Sequence, residues 1–375
     1  MNAKTLRDRI ERSLKAQGFH LTSGRISLPA NMDKEKLRKV HELAVKHRIE
    51  QCKHGLLRHE ERLMGYIAKG TEVNPESVSP VLVEVGRDSE EELLFRYASL
   101  HWSIPISSGY GRRIRFLVFD ESNNKLIGLF GFRDPVYGLA ARDNWIGWNE
   151  KARRNRLQHV MDAFVLGAVP PYSALLCGKL VAMLLTSTEV RAAFKRKYQN
   201  RRSCIRRRLL DGRLALVTTT SALGRSSIYN RLRFRNRLLY QSVGFTQGSG
   251  EIHFSNGEYD SIFDYATRYC DPTAKHSRWG RGFRNRREVV RICLGKIGLS
   301  QNWTYHGIKR EVFVIPLAKN CQEFLRGEHS KLFWLDHSAN ELFRWFRDRW
   351  LLPRAKRDPR FLEFDPNTFR LWKKE

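Results

Sequence analysis

VMDAFVLGAVPPYSALLCGKLVAMLL, Val160 to Leu185, is the longest apolar stretch of the chain. Its reading decides the fold. Pro170 and Pro171 break its middle, and Asp162 and Lys179 punctuate it. Such a stretch is too interrupted to span a bilayer as one helix. It predicts a buried strand ending near Pro170, a turn holding Tyr172 and Ser173, and a buried helix from Ala174 to Leu185. Free backbone N–H groups at the start of such a helix suit an anion. Ser173, Gly178 and Lys179 are therefore candidate anion-binding residues. The plainer alternative is a strand–turn–helix unit with Tyr172 packed in the core.

The neighbours extend this pattern in both directions. Upstream, RIRFLVFD (Arg113 to Asp120) alternates, ESNN turns, and KLIGLFGF (Lys125 to Phe132) continues as the second strand of a hairpin. VLVEV (Val81 to Val85) predicts a short strand. SEEELLFRYASLHW (Ser89 to Trp102) predicts a helix with a Ser cap and acids in its first turn. Downstream, LALVTTT (Leu214 to Thr220) predicts a strand, followed by a helix beginning near Ser226. Strands alternate with helices from residue 81 to 266, which predicts one central mixed α/β domain.

The flanks differ from this middle. Leu6, Ile10 and Leu14 recur at helical spacing, and Leu37, Val40, Leu43 and Ala44 form another apolar stripe. Residues 1–75 thus predict a helical N-terminal region. KGTEVNPESVSP, Lys69 to Pro80, is polar and turn-rich and suits a linker. From residue 270 to 375 the chain is basic. VFVIPL (Val312 to Leu317) predicts a strand there, and Leu335 to Pro353 an amphipathic helix stopped by proline. The fold class expected is α+β, in three regions.

Charge is the strongest clue to function. The 375 residues hold 68 Lys and Arg against 39 Asp and Glu, a formal charge of +29. Such an excess fits a polyanionic partner, DNA or RNA. The arginines cluster. Arg201, Arg202, Arg206, Arg207 and Arg208 form one run, and Arg231, Arg233 and Arg235 a second. Arg281, Arg284, Arg286 and Arg287 form a third, with Trp279 beside them. Arginines neutralise phosphates, and aromatics among them stack on unpaired bases. A solvated face is the ordinary explanation for any single run.

Catalytic motifs are sparse. No Walker A loop, HExxH or GxSxG is present, and GYGRR at Gly109 to Arg113 leads into a strand rather than a helix, so it fits no dinucleotide fingerprint and reads alternatively as a basic turn that touches phosphate. Cys52, His54 and His59 match no zinc spacing. No metal and no cofactor are expected. The six cysteines show no CxxC pair and suit reduced thiols. MNAKTLRDRIERSLKAQGF lacks an apolar secretion core, so a cytoplasmic protein without a membrane anchor is expected.

ARDNWIGWNEKARRNRLQHVMDAFVLGAVPPYSALLCGKLVAMLL resembles the protein A family of the bacterial Druantia anti-phage defence system. Arg142-Asp143, Ile146-Gly147-Trp148, Arg153, Gly167, Pro170-Pro171-Tyr172 and Gly178-Lys179-Leu180 carry the resemblance, which runs from about residue 100 to 254. SALGRSSIYNRL and VGFTQGSGEIHF add to it. It implies a part in a multi-gene defence system with a large helicase-like partner, and no established catalytic residues. The order hairpin, strand, helix, strand also resembles the GNAT acyltransferases. Their pyrophosphate loop spaces Gln/Arg-x-x-Gly-x-Gly/Ala, whereas SALLCGKLVA offers Gly178 alone. That departure puts acyl-CoA binding in doubt.

Two readings follow. In the first, the protein binds nucleic acid, DNA foremost, and acts with the other proteins of the system. In the second, it is a nucleic-acid-modifying or nicking enzyme, with Asp143 as general base and Tyr172 as acid. The second requires Asp143, Tyr172 and Ser226 to share one open pocket.

Overall fold

Alternate side chains of a strand face opposite ways, so RIRFLVFD serves two cores at once. The computed structural model describes all residues except 30–31, 107–110, 204–206, 227, 273–282 and 373–375, and the side chains of 283–285. In it Ile114, Phe116 and Val118 enter one core, and Leu117 enters another on the opposite face.

The elements run as follows. α1 (Ala3–Ala16) and the small ladder of β1 (His20–Leu21) and β2 (Ile26–Ser27) precede α2 (Lys34–Leu56) and α3 (Glu60–Met64). β3 (Pro80–Glu84), α4 (Glu90–Ser99), β4 (Arg113–Asp120) and β5 (Lys125–Arg133) follow. α5 (Ala140–Ile146) and α6 (Glu150–Arg156) lead into β6 (Val160–Ala168), α7 (Cys177–Leu184) and α8 (Thr188–Tyr198). Next come β7 (Leu216–Thr220), the ladder of β8 (Arg233–Phe234) and β9 (Arg237–Leu238), β10 (Gln241–Phe245), α9 (Glu258–Tyr269) and α10 (Phe283–Lys296). β11 (Glu311–Pro316), α11 (Cys321–Arg326), α12 (Ala339–Phe346) and α13 (Leu352–Arg357) complete the set.

Seven strands form one mixed sheet in the order β10-β11-β7-β6-β5-β4-β3. All neighbours are antiparallel except β6 and β7, which run parallel. One face packs on α7, α8 and α12 through Leu180, Val190 and Phe346. The other face carries two separate apolar clusters. Leu94 and Phe95 of α4 cover Leu117 and Leu129, while Ile146, Trp148 and Phe324 cover Leu216 and Val314. α1, α9, α10 and the start of α2 build a further core. Its Leu6, Ile10 and Leu14 are fully buried, each contributing roughly 1.5–3 kcal/mol.

Two glycines in β5 let layers approach. A Cβ on Gly131 would lie 2.8 Å from the Phe164 ring, and one on Gly128 would lie 2.4 Å from the Gly167 carbonyl oxygen. Among the described residues, no helix is long and apolar enough to cross a membrane.

Several expectations need correction. The helix after Pro171 starts at Cys177, because Tyr172 to Leu176 form turns closed by backbone bonds such as Leu175 N–H to the Tyr172 carbonyl. Among the described residues no helix begins near Ser226. Its hydroxyl oxygen accepts from the N–H groups of Ile228 and Tyr229 and closes a turn instead. Residues 69 to 80 are not a free linker. Gly70 N–H donates to the Phe364 carbonyl, and Val73 and Val78 are buried in the main core. Pro353 does not stop a helix; it sits in the first turn of α13, where a missing N–H costs nothing. The sheet also crosses the boundary expected near residue 270. β11 lies between β10 and β7, inside it.

Candidate nucleic-acid interface

The period of a strand puts Arg113 and Arg115 on the same face as Leu117. Arg133 of β5 pairs in register with Arg113 and shares that face, and Asp162 of β6 pairs in register with Arg133. A polar strip thus lies on the sheet face that carries the two separate apolar clusters. Asp162 accepts from Arg133 at 3.0 Å and from the Thr218 hydroxyl at 3.1 Å. Arg115 is paired with Glu92 at 2.7 Å. Among the described residues, Arg113 has no carboxylate in ion-pair distance. Its guanidinium lies 5.5 Å from the Phe164 ring centre, and that of Arg133 lies 5.9 Å from the same ring. Burial, then the like charges of Arg115 and Arg133, pull the Arg113 pKa down.

Three adjoining cavities continue from this strip. The largest, about 690 Å³, is lined by Arg87, Arg112, Arg113, Arg115, Lys197 and Arg201, and by Glu84 and Glu92, which pair with Lys197 and Arg115. It shares Arg113 and Arg115 with a smaller cavity of about 80 Å³, which adds Arg48, Arg96, Phe95, Trp102 and Phe164. That one shares Arg48 and Ile104 to Ile106 with a third of about 260 Å³, lined also by Arg286, Arg310 and Tyr259. Together they form one basic trough with aromatic rings in its wall. Among the described residues, no ion pair engages Arg48, Arg87, Arg96 or Arg201. Arg112 is occupied structurally, holding Asp134 at 2.7 Å and the Gln158 carbonyl at 2.6 Å.

Of the residues singled out from sequence, Arg201 and Arg286 line this trough. Arg202, Arg207 and Arg208 follow Arg201 in a loop. There Arg202 donates to the Arg207 carbonyl, and Arg208 donates to Asn155. Burial raises the Glu251 pKa, and Arg286 and Arg287 both sit near enough to oppose that rise. Arg231, Arg233 and Arg235 lie elsewhere. Their ladder packs through Phe234 on His337 and Trp345, on the face of α12. Arg206, Trp279 and Arg281 fall outside the described residues, as does the side chain of Arg284. Sequence reasoning missed Arg48, Arg87, Arg96, Arg115 and Arg310, whereas Arg113 ends the GYGRR stretch read as a basic turn able to touch phosphate. Only the alternation of Arg113 and Arg115 in a strand was available as a signal.

The proposed acid and base are not brought together. Asp143 accepts from Arg142 and Trp148 Nε1 on one oxygen, and from Leu139 N–H and Arg153 on the other. Its lone pairs are spent on structure. Tyr172 is fully buried and donates to Asp120 at 2.8 Å. Burial, then Asp120, drive its pKa far above the ordinary phenol value. Asp120 and Asn123 stand at the start of β5, whereas Asp143 follows its end. The strand between them is roughly 26 Å long at ~3.3 Å per residue. Neither Asp143 nor Tyr172 lines any of the three cavities described above.

At the expected anion site most of the backbone donors of the turn are already taken. The N–H groups of Ser173, Ala174, Leu175, Leu176, Cys177 and Lys179 already donate to carbonyls. Ser173 is exposed, and Lys179 lies 5.5 Å from the Trp350 ring centre. Gly178 faces Ile228, 3.6 Å from where its Cβ would stand. Among the described residues, no cluster of three or more His, Cys, Asp or Glu is placed to hold a metal ion.

Comparison with known proteins adds one clear match. The model of the family described as "Druantia protein DruA" matches residues 31–327. The Druantia protein DruA of Escherichia coli (strain UMEA 4076-1) is 39% identical over 372 residues, covering 98% of this chain and 89% of that protein. No solved structure matches.

Proposed function

Because the chain belongs to the Druantia protein DruA family, we propose that it serves in Druantia anti-phage defence as a nucleic-acid-binding component, with DNA as its first ligand. It works with the other proteins of that system, a helicase-like protein among them. The observation that carries the binding reading is Arg113. This half-buried guanidinium lines the trough with Arg115, close to the charge of Arg133, and among the described residues has no carboxylate of its own. A phosphate there relieves like-charge repulsion and supplies the missing counter-charge. Phe164, between Arg113 and Arg133, offers a ring for stacking.

A gel-shift titration against salt tests this. Affinity falls steeply as salt rises, with a log–log slope of about −0.7 to −0.9 for each phosphate neutralised. A flat salt response, or no complex at low salt, overturns the reading.

A second reading, an enzyme that modifies or nicks nucleic acid on a GNAT-like core, is favoured by the parallel pair in the sheet. β6 and β7 are in register only from Val160–Leu216 to Asp162–Thr218, although β6 continues to Ala168. Past that point a side-chain bond from Thr219 Oγ1 to the Ala163 carbonyl takes over from the ladder. Ligands of open sheets enter where the strand order changes sense, at the carboxyl ends of the strands. Nucleoside mass spectrometry and a nicking assay on DNA incubated with the protein decide it. Unchanged DNA with plausible cofactors present ends this second reading.

A further inference from the structure

At one end of the basic trough lies the cavity of about 260 Å³, smaller than the roughly 300–1,000 Å³ of drug-sized pockets. Its walls are of two kinds. Ile104, Pro105, Ile252 and Phe254 are apolar, and Tyr259 adds a ring whose other partner is Arg286, 3.8 Å from the ring centre. His41 of α2, Glu251 and Arg310 supply polar groups.

These polar groups are under-used. His41 is 2% exposed and Glu251 is 6% exposed. Among the described residues, His41 Nε2, Glu251 Oε1 and Arg310 Nε are all buried without a hydrogen-bond partner. Buried polar atoms are normally paired, so three orphans on one cavity wall are unusual. Burial, then Arg310 and His306, hold the His41 pKa down at about 3, which leaves a neutral ring with one donor and one acceptor nitrogen. Burial also raises the Glu251 pKa against the pull of Arg286 and Arg287. A hydrogen-bond donor arriving at that carboxyl relieves this cost.

The shape and chemistry exclude a bare phosphate as the natural occupant. Glu251 and Asp260 oppose an anion, and the apolar wall goes unused. A flat heterocycle with an amino group uses every part. Its faces meet Tyr259 and the Ile–Pro wall, its amino group donates to Glu251, and a ring nitrogen accepts from His41. The attached phosphates then fall to Arg48 and Arg286 at the mouth, in line with the trough.

We propose that this cavity holds a single unstacked nucleotide whose base bears an exocyclic amino group, read by Glu251 and His41, while the rest of the strand lies in the trough. The proposal rests on the nucleic-acid reading above and gives it a preference among bases. Bases taken out of the stack are read in this manner, by edge hydrogen bonds between apolar or aromatic walls.

Cytosine and thymine test it, because thymine carries a C4 carbonyl and an N3–H where cytosine carries the C4 amino group and an acceptor N3, besides its C5 methyl group. Binding of single-stranded oligo(dC) and oligo(dT) to the full chain is compared at fixed salt. Oligo(dC) is expected to bind about tenfold more tightly, and free dCMP to displace it where dTMP does not. In Glu251→Ala the preference disappears and oligo(dT) affinity stays unchanged. Equal binding of the two oligomers to the wild-type protein overturns the inference and leaves general nucleic-acid binding standing. A preference that survives in folded Glu251→Ala removes it from this cavity and also overturns the proposal. The dCMP and dTMP competition on the wild-type protein decides the matter if the variant melts. Absence of binding by either oligomer at low salt overturns the nucleic-acid reading itself.

Discussion

The Asp143 carboxylate and the Arg142 guanidinium lie 2.7 Å apart, and the arginine side chain is fully buried. Arg142 also donates to the carbonyls of Val136 and Tyr137 at 2.9 Å each. The pair pins the segment between β5 and α5 to α6 through Arg153. Removing the carboxylate strands a buried cation. Asp143→Ala is expected to cost about 3–5 kcal/mol. Urea unfolding measures this, and a loss under 1 kcal/mol contradicts the structural role.

Tyr172 ties the turn after β6 to the β4–β5 hairpin through Asp120 and Asn123. Tyr172→Phe keeps the ring and removes both its bond to the charged Asp120 and the one it accepts from Asn123. A loss of about 1.5–3 kcal/mol is expected, with unchanged nucleic-acid affinity in the folded variant. A catalytic Tyr172 would instead abolish function without lowering the melting temperature.

Arg113 and Arg233 are both arginines, but they stand on opposite faces of the sheet. Arg113→Gln is expected to reduce the magnitude of the salt slope by about 0.7–0.9, the worth of one phosphate contact. Arg233→Gln is expected to leave the slope unchanged. Titrations of both variants across a range of salt compare them, and equal slopes count against the trough.

Gly128 and Gly131 lie where layers touch. Gly131→Ala pushes a methyl group into the Phe164 ring and is expected to cost about 1–3 kcal/mol. Gly128→Ala meets the backbone of β6 rather than a side chain. It is expected to cost more than Gly131→Ala, because a strand yields less than a ring. Parallel denaturation curves rank the two.

Acid weakens the fold through its histidines. Burial is the leading cause of depression in His253, to about 3, and in His101, His159 and His306, to about 4. The unfolded chain titrates near 6.5, so it takes up protons before the folded chain does. Their stabilisation is therefore complete above about pH 6.5 and is lost as pH falls toward 4 and 3. At pH 5 each costs up to about 2 kcal/mol relative to pH 7. Melting temperature followed from pH 7 to 5 is expected to fall, and a flat profile refutes this.

Much of the sheet was legible because its strands carry period-two patterns and their turns carry Asn, Gly and Pro. The hairpin of β4 and β5, the strand before Pro170 and the Ser89 cap of α4 all follow from local chemistry. Trp148 packs in an apolar cluster as its size suggests, and its indole N–H reaches Asp143. The trough was less legible, because its arginines come from α2, α4, β4, α10 and the loops that hold Arg87, Arg201 and Arg310, and are assembled only by folding. Arginine runs marked by density in sequence scatter over both faces, whereas single arginines such as Arg48 and Arg310 converge. The order of strands was hidden too, since no local signal tells β11 to enter beside β7.

That late entry sets a timetable for synthesis. β7 ends at Thr220, and the strand that covers its open edge begins at Glu311. The roughly ninety residues between them take about 5–20 s to translate at ~5–20 residues per second. Throughout that interval the nascent chain carries an uncapped edge in what becomes mid-sheet. A stalled or truncated product ending before β11 is therefore a natural substrate for chaperones, and a natural seed for edge-to-edge association.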